Sequence, residues 1–181
     1  MNLAQRLAEA RPSLRWHLAN TTSRTLYRRA FATFGEGSVL EKPRILRGTS
    51  RIHVGAGVAI RPQAWLACEP DGGPIVIGDR VTLGELVHIH AADRVEIGND
   101  TLVGESTLIT SANHPAGGDR SEVESIGAIR IGSRVFIGQG SVILGGVTIG
   151  DGATIGAGSV VLRDVPAGAS AIGVPARVVR N

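Results

Sequence analysis

The chain of 181 residues is poor in cysteine, in aromatic residues and in long apolar segments. Its one cysteine, Cys68, excludes an internal disulfide framework and a zinc site built from several cysteines. Aromatic residues make up 3% of the chain, so a buried core has to be aliphatic. No apolar run approaches the roughly 18 residues of a membrane-spanning helix, and the N-terminus lacks the apolar core of a secretory signal. We therefore expect a cytoplasmic protein.

Positive charge is concentrated at the beginning of the chain. Residues 1–51 hold ten basic and three acidic residues, a net charge of +7, whereas residues 52–181 hold nine basic and thirteen acidic ones, a net charge of −4. We expect no nucleic-acid partner, because the aromatic side chains that would stack on bases are missing among the arginines. A solvated arginine face on a docked helix is one interpretation. Weak association with an anionic membrane surface is the other.

Glycine is abundant, with 25 residues, and it accompanies a repeat. Within blocks between residues 54 and 161, an aliphatic residue recurs at every sixth position, often followed by glycine. The fifteen aliphatic positions are Val54, Ile60, Leu66, Ile77, Leu83, Ile89, Ile97, Val103, Ile109, Ile131, Ile137, Ile143, Ile149, Ile155 and Val161. A period of six is typical of a short strand, a turn and a change of direction. We expect the glycines near corners, where unusual backbone angles are needed and bulk is not tolerated.

Three such hexads would return the chain to its starting direction, which predicts a triangular, all-β solenoid. We expect a parallel β-helix of about five coils, formed by residues 37–166, in which Val39 and Ile45 begin a partial coil. Residues 1–36 are predicted to form a short helical extension, from the helical spacing of Leu3, Leu7, Leu14 and Leu18. Residues 115–128 interrupt the repeat and are predicted to form a protruding loop. Residues 167–181 are predicted to form a C-terminal tail.

Three segments carry a family resemblance. Residues 110–115 read Thr-Ser-Ala-Asn-His-Pro, residues 135–140 read Val-Phe-Ile-Gly-Gln-Gly, and residues 173–177 read Gly-Val-Pro-Ala-Arg. Over about residues 75–180 the chain resembles the hexapeptide-repeat acyltransferases, above all the maltose, galactoside and nodulation-type O-acetyltransferases and their polysaccharide-modifying relatives. Phe136 stands where this family usually has tryptophan. The resemblance implies a left-handed coil.

The resemblance also implies an activity. The family transfers an acetyl group from acetyl-CoA to a hydroxyl of a sugar or polysaccharide precursor, and it forms homotrimers with the active site between neighbouring prisms. His114 matches the position of the general base, and an imidazole that titrates near neutral pH suits this task. The acceptor hydroxyl would attack the thioester directly, without an acyl-enzyme. We expect no metal.

Acetyl-CoA needs close backbone approach along its pantetheine arm and cations at its phosphates. The residues that match contact positions of the family are Gly138, Gln139, Ala157, Gly158, Leu162, Arg163 and Arg180. Backbone amides near Gly138 and Gln139 are expected to stabilise the oxyanion. For Arg177 we prefer a role in docking the tail.

Acceptor-binding residues are harder to predict. Galactoside-type relatives carry an asparagine about thirty residues before the catalytic histidine, where this chain has Gly84 followed by Glu85. Glu85, Asp93 and Asn113 are the candidates for contact with the acceptor. Glu85 could equally be a solvated corner residue.

Other functions remain open from the sequence. The acceptor could be an antibiotic or another xenobiotic. A γ-type carbonic anhydrase would need three histidines on zinc, for which His88, His90 and His114 are available, although we expect His88 and His90 to straddle a corner. A solenoid that only binds a partner is the third alternative, against which His114 and the cationic tail argue.

Overall fold

The computed structural model describes residues 14–117, 119 and 121–179. The described chain begins with helix α1 (Leu14–Thr22), which continues through a π-helical turn (Ser23–Tyr27) into the short helix α2 (Arg28–Ala30). A 3-10 turn (Thr49–Arg51) lies between the first two coils. Leu3 and Leu7 lie outside the described residues. No helix in the described ranges has the length and hydropathy needed to cross a membrane.

The strands follow one another around a prism with three faces, A, B and C. Coils 1 to 3 contain β1 (Thr33–Phe34), β2 (Val39–Leu40), β3 (Ile45–Arg47), β4 (Ile52–Val54), β5 (Ala59–Ile60), β6 (Trp65–Cys68), β7 (Ile75–Ile77), β8 (Thr82–Leu83) and β9 (His88–Ala91). Coils 4 to 6 contain β10 (Val95–Ile97), β11 (Leu102–Val103), β12 (Leu108–Thr110), β15 (Ile129–Ile131), β16 (Phe136–Ile137), β17 (Val142–Leu144), β18 (Thr148–Ile149), β19 (Thr154–Ile155) and β20 (Val160–Val161). Outside these coils lie β13 (Ala112–Asn113), β14 (Glu124–Ser125), β21 (Ser170–Gly173) and β22 (Ala176–Val179).

Each face is a parallel sheet that takes one strand from each coil. The strand orders are β1-β4-β7-β10-β15-β18 on face A, β2-β5-β8-β11-β16-β19-β21-β22 on face B and β3-β6-β9-β12-β17-β20 on face C. Only β22 runs antiparallel among them, folding back along β21. The described strands thus make six complete coils and part of a seventh. The predicted parallel β-helix with a short N-terminal helical extension is confirmed, with more coils than the five expected.

The core consists of the aliphatic files that the repeat predicts. All fifteen predicted positions are buried, none with more than 2% of its surface exposed. Residues of one file pair directly across coils, as Ile97 does with Ile77 and Ile131. The file is therefore continuous from coil to coil, and its burial supplies the main stabilisation of the prism.

The first coil is shifted by one residue from the prediction. Its core positions are Phe34, Leu40 and Leu46, not Val39 and Ile45, which precede the core file on their strands. A slip of one residue moves a strand side chain to the other face. Val39 is nevertheless buried, because helix α1 packs against β2, and this second source of burial explains the misleading hydrophobic pattern.

The N-terminal helices close the first coil. Tyr27, Phe31 and Phe34 pack ring against ring, with centroids 5.3 to 6.1 Å apart. The buried Ser23 hydroxyl accepts a hydrogen bond of 3.0 Å from the Leu40 amide. Leu26, by contrast, is 57% exposed. The cap is thus formed by Phe31 and Phe34 with Tyr27 and Ser23, whereas Leu18 and Leu26 are exposed.

The glycines of the repeat have one of the two predicted roles, the avoidance of bulk, but not the other, unusual backbone angles. We number each hexad from its buried aliphatic residue. Glycine at position 2 lies where the next coil approaches most closely, so a Cβ on Gly104 would stand 2.5 Å from the Gln139 backbone nitrogen. The left-handed backbone angles occur at position 4 instead. There the chain has glycine at some corners and other residues at six: Gln63, Arg80, Leu86, Asp100, Ser106 and Arg134.

The predicted C-terminal tail continues the solenoid. Strand β21 pairs in parallel with β19, and an isolated bridge joins Val165 to Ile149. Strand β22 then turns back along β21. Residues 165–173 therefore begin a further coil, and Ala176 on β22 packs against the core at this end.

Candidate active site

A β-hairpin leaves the prism after β12 and carries His114. Strands β13 and β14 pair antiparallel, with Ala112 opposite Ser125 and Asn113 opposite Glu124. The chain returns to the prism at Ile126, whose amide donates to the Ser111 carbonyl at 2.9 Å. The loop predicted from the broken repeat is thus built on a short hairpin, and His114 follows its first strand.

The hairpin orients the imidazole of His114. Its Nδ1 lies 2.9 Å from the backbone carbonyl oxygen of Glu122. A carbonyl only accepts hydrogen bonds, so Nδ1 carries the proton and donates it, which leaves the lone pair of the neutral ring on Nε2. The side chain is exposed, so Nε2 is open to a ligand.

Two side chains tie the hairpin to the prism. The buried Ser111 hydroxyl accepts from the Asp93 amide at 2.9 Å and donates to the Asp93 carbonyl at 3.0 Å. The Asp93 carboxylate accepts from the Arg94 amide at 2.6 Å and from the Ser125 hydroxyl at 3.2 Å. The Asp93 carboxylate thus supports the base of the hairpin that carries His114.

The predicted site residues fall on two edges of face C. The edge that follows face C, which we call the C/A edge, carries Asp93, Asn113, His114, Leu162 and Arg163. The edge that precedes face C, the B/C edge, carries Glu85, Gly138, Gln139, Ala157 and Gly158. Arg180 lies outside the described residues. Because the strands of face C span about 10 Å, one chain does not bring the two sets together.

The B/C edge changes character along the prism. In coils 3 and 4 it bears Glu85 and Glu105, and in coil 6 it bears Ala157 and Gly158, where a Cβ added to Gly158 would meet nothing within 4 Å. All four residues are exposed. The edge therefore presents open, bare backbone at coil 6 and carboxylates at coils 3 and 4.

Only one of the two predicted oxyanion donors is free. The Gly138 amide donates to the Ile155 carbonyl at 2.8 Å, so it is part of the sheet. Within the described chain the Gln139 amide makes no backbone hydrogen bond. This corrects the prediction for Gly138 and leaves the Gln139 amide as the available donor on this edge.

Two arginines line one cleft at the C-terminal end of the prism, Arg163 from the C/A edge and Arg177 from β22. Arg163 and Arg177 line a cleft of about 140 Å³ whose apolar wall includes Val165 and Val178. The Arg177 guanidinium donates to the Ala176 carbonyl at 3.0 Å, a bond within its own strand. Asp164 lines the same cleft, which therefore combines two cations and one carboxylate with an apolar surface.

His88 and His90 lie on face C and not across a corner. They flank Ile89 on β9, their rings stack with centroids 6.0 Å apart, and His88 stacks on Trp65 at 4.3 Å. Burial, together with the neighbouring His90 and Arg44, lowers the pKa of His88, which favours the neutral ring. His90 bonds instead to Glu69, at 2.5 Å.

The three histidines of the carbonic anhydrase alternative therefore do not converge within one chain. His114 stands on the hairpin, apart from the face that carries the other two. In the ranges that the structure describes, no group of three histidine, cysteine or acidic side chains could hold a metal ion.

Comparison with known proteins decides the family. The family model described as bacterial transferase hexapeptide (six repeats) matches residues 128–163. A relative from Escherichia coli K12, WbbJ, named as an O-acetyl transferase of lipopolysaccharide biosynthesis, is 32% identical over 158 residues, which cover 78% of each chain. The chain belongs to the hexapeptide-repeat acyltransferases. Nodulation protein L of Rhizobium meliloti is another relative of this hexapeptide acyltransferase, 43% identical over 130 residues that cover 69% of the chain and 68% of the relative.

A solved structure shows the same fold. AntD, an N-acyltransferase from Bacillus cereus crystallised with coenzyme A and dTDP-4-amino-4,6-dideoxyglucose, matches with a TM-score of 0.76 and 21% identity over 87% of each chain. This likeness confirms the predicted fold class, and the two curated relatives confirm the predicted family and enzyme class.

Sequence reasoning missed the groups that hold His114. The acceptor for its Nδ1 is a backbone carbonyl, that of Glu122, and no side-chain pattern encodes it. Ser111 and Ser125 gave no signal beyond lying at the two ends of the irregular segment. A search for strand-like alternation in residues 111–126 could have found the pairing between the two ends of this loop.

Proposed function

We propose that the protein is an acetyl-CoA-dependent O-acetyltransferase that acetylates a hydroxyl of a sugar or polysaccharide precursor. The observation that carries this proposal is the bond from His114 Nδ1 to the Glu122 carbonyl, which leaves Nε2 as a base on an exposed hairpin. Acetyl-CoA supplies an activated acetyl group as a thioester. The protein has to hold the acceptor, remove its proton and accommodate the charge that develops on the carbonyl oxygen.

His114 performs the proton transfer in this proposal. Nε2 accepts the proton of the acceptor hydroxyl as that oxygen attacks the acetyl carbon, and the imidazolium keeps its Nδ1 bond to the Glu122 carbonyl. The same proton is then available to the departing thiolate of coenzyme A. In this proposal the Gln139 amide, which makes no backbone hydrogen bond within the described chain, donates to the oxyanion.

The two edges of face C fit the parts of acetyl-CoA. The open backbone at Ala157 and Gly158 admits a thin pantetheine arm, since a side chain there would fill the space. Arg163 and Arg177, around their cleft, suit the phosphates. Because Gly158 lies on the B/C edge and Arg163 on the C/A edge, we infer that each site lies between two copies of the chain.

A homotrimer brings the two edges together. The B/C edge of each copy would pair with the C/A edge of the next, a head-to-tail contact that closes after three copies and turns face C towards the axis. The outward residues of face C in coils 4 to 6 support this arrangement. Five of the six are aliphatic and at least partly exposed, namely Leu108, Val142, Leu144, Val160 and Leu162, and the sixth, Thr110, is buried.

A charge on this face is expected to dissociate the trimer. Val142→Asp places a carboxylate on face C, where burial without a partner costs several kcal/mol. We expect sedimentation equilibrium to show trimers for the unaltered chain and monomers for Val142→Asp, with loss of acetyl-CoA binding.

The matched control is Thr148→Asp, on exposed face A. It should remain trimeric, and circular dichroism should show that both variants keep their strands. A trimeric Val142→Asp protein would contradict the assignment of face C to the assembly.

Calorimetry tests the proposed function directly. Titration with acetyl-CoA should show saturable binding of about one ligand per chain, and a screen of sugar acceptors should release coenzyme A thiol. Failure to bind acetyl-CoA would refute the enzyme proposed here. A screen in which amines react and hydroxyls do not would favour N-acylation, the chemistry named for AntD.

Location and surface contacts follow from the same proposal. We infer action in the cytoplasm, where acetyl-CoA is available. Arg24, Arg28 and Arg29 are exposed beside Leu18 and Leu26 on the N-terminal helices, which suits weak contact with an anionic membrane surface. Sedimentation with vesicles of anionic phospholipid tests this contact, and recovery of all protein in the supernatant would exclude it.

A further inference from the structure

Glu105 is an exposed carboxylate on the B/C edge, at position 3 of the hexad that starts at Val103. Its backbone carbonyl accepts from the Gly140 amide at 2.8 Å, and the Ser106 amide donates to the Glu85 carbonyl at 2.8 Å. These bonds stack Glu85, Glu105 and Gln139 in one file, in coils 3, 4 and 5. The Glu105 carboxylate itself makes no hydrogen bond or ion pair with the described chain, so the fold does not use it.

Glu105 and His114 belong to the same coil. Strand β11 leads to Glu105, and β12, the next strand of coil 4, leads to the hairpin. The base of the hairpin stays in this layer: the Ser111 amide donates to the His90 carbonyl of coil 3 at 3.0 Å, and the Gly146 amide of coil 5 donates to the Ala128 carbonyl at 3.0 Å.

Rotation about a threefold axis parallel to the prisms does not change height along that axis. In the trimer proposed above, Glu105 of one copy therefore lies level with His114 of the next. The residues assigned to acetyl-CoA on the same edge lie beyond it, in coils 5 and 6. Glu105 thus stands where the acyl group and the acceptor have to meet.

We propose that Glu105 is a specificity-determining residue that binds the acceptor, a neutral sugar, across the subunit boundary from His114. This rests on the proposed function and deepens it. The carboxylate accepts hydrogen bonds from the sugar hydroxyls next to the one that reacts. Hydrogen bonds to a charged oxygen are stronger than those between neutral groups. It repels acceptors that carry a carboxylate or a phosphate near the reacting hydroxyl.

The adjoining part of face B suits the same ligand. Leu102 and Phe136 pair in register on β11 and β16, and they are 43% and 47% exposed. An exposed aromatic ring with an aliphatic neighbour provides an apolar surface for the C–H side of a pyranose. A carboxylate beside such a surface matches a ring that is apolar on one face and bears hydroxyls at its rim.

The test compares neutral and anionic acceptors. Glu105→Gln is assayed with acetyl-CoA and the methyl glycosides of glucose, galactose and mannose, each beside its uronic acid counterpart. We expect kcat/KM for the best neutral glycoside to fall about 10- to 100-fold, the effect of losing hydrogen bonds to a charged group. For the matching uronic acid it should rise or stay unchanged, and KM for acetyl-CoA should not move.

The control is Glu36→Gln, at the same hexad position on the edge between faces A and B, which should leave every acceptor unaffected. Equal falls for neutral and anionic glycosides, no change, or a panel in which no neutral glycoside is acetylated would each overturn the proposal. Acetyl-CoA binding, measured separately, distinguishes this failure from failure of the proposed function.

Mixed trimers test the placement across the boundary. His114→Ala and Glu105→Ala chains are co-expressed with different tags, and trimers that carry both tags are isolated. Each parent has little activity, but in a trimer that contains both chains one of the three sites, about a third of the total, takes an intact His114 from one chain and an intact Glu105 from the other. We expect activity near that fraction. Mixed trimers no more active than the average of their parents would show that the two residues do not act across the boundary.

Discussion

Replacing His114 by alanine is expected to slow acetyl transfer by about two to four orders of magnitude, the usual contribution of a general base. The affinity for acetyl-CoA should stay within about twofold, because the groups assigned to its arm and phosphates lie elsewhere on the two edges. Stopped-time assays of thiol release with the best sugar acceptor, together with calorimetry on the same preparation, measure both quantities.

The hairpin makes this expectation specific. Only Nε2 of His114 is free, since Nδ1 is held by the Glu122 carbonyl, so loss of the ring removes the base without removing a support of the prism. His53→Ala, on face A, is the control and should retain activity. If His114→Ala turns over at the normal rate, another group takes the proton. If it loses acetyl-CoA binding as well, His114 has a structural role.

Replacing Gly104 by alanine is expected to lower the melting temperature by about 6 to 12 °C, the shift that corresponds to roughly 3 kcal/mol in a domain of this size. The added Cβ would stand 2.5 Å from the Gln139 nitrogen and 2.8 Å from the Gln139 Cα, both backbone atoms of the next coil. Backbone cannot move aside as the end of a flexible side chain does, so coils 4 and 5 have to separate. Differential scanning calorimetry measures the shift.

Gly152→Ala separates crowding from backbone conformation. Gly152 has a φ of +67°, but a Cβ there meets nothing within 4 Å. Its substitution should cost only the left-handed strain of about 1 kcal/mol, a shift of about 2 to 4 °C. If Gly152→Ala were the more damaging of the two, the conformational role first expected for the repeat glycines would outweigh the close approach of the coils.

The prism follows from the sequence because its core is a one-dimensional pattern. A file of identical positions is visible as a period, and all fifteen predicted members are buried. The pattern fails where burial has a second cause. Val39 is covered by a helix from outside the prism, and Phe34, an aromatic residue at a core position, interrupts an otherwise aliphatic file.

Only the part of the candidate site that consists of distinctive side chains could be predicted from the sequence. His114 stands out as a histidine at the start of an irregular segment. The carbonyl of Glu122, which fixes its tautomer, belongs to no recognisable side-chain pattern. The edge on which a residue lies depends on the strand that it follows, so the division of the site between two edges is visible only in the fold. The role proposed for Glu105 follows from the coil that it shares with His114.

The corners of the prism show where this chain accepts lower stability. Seven corners, that at Lys42 included, hold a side chain in a left-handed conformation for which glycine would be more favourable by about 1 kcal/mol or more. Two of these residues, Leu86 and Ser106, directly follow Glu85 and Glu105 on the B/C edge. Heat tolerance could therefore be raised by glycine at corners far from that edge, such as Arg134, without altering the surface on which acceptors are distinguished. Thermal adaptation and substrate choice can thus evolve at separate positions of the same repeat.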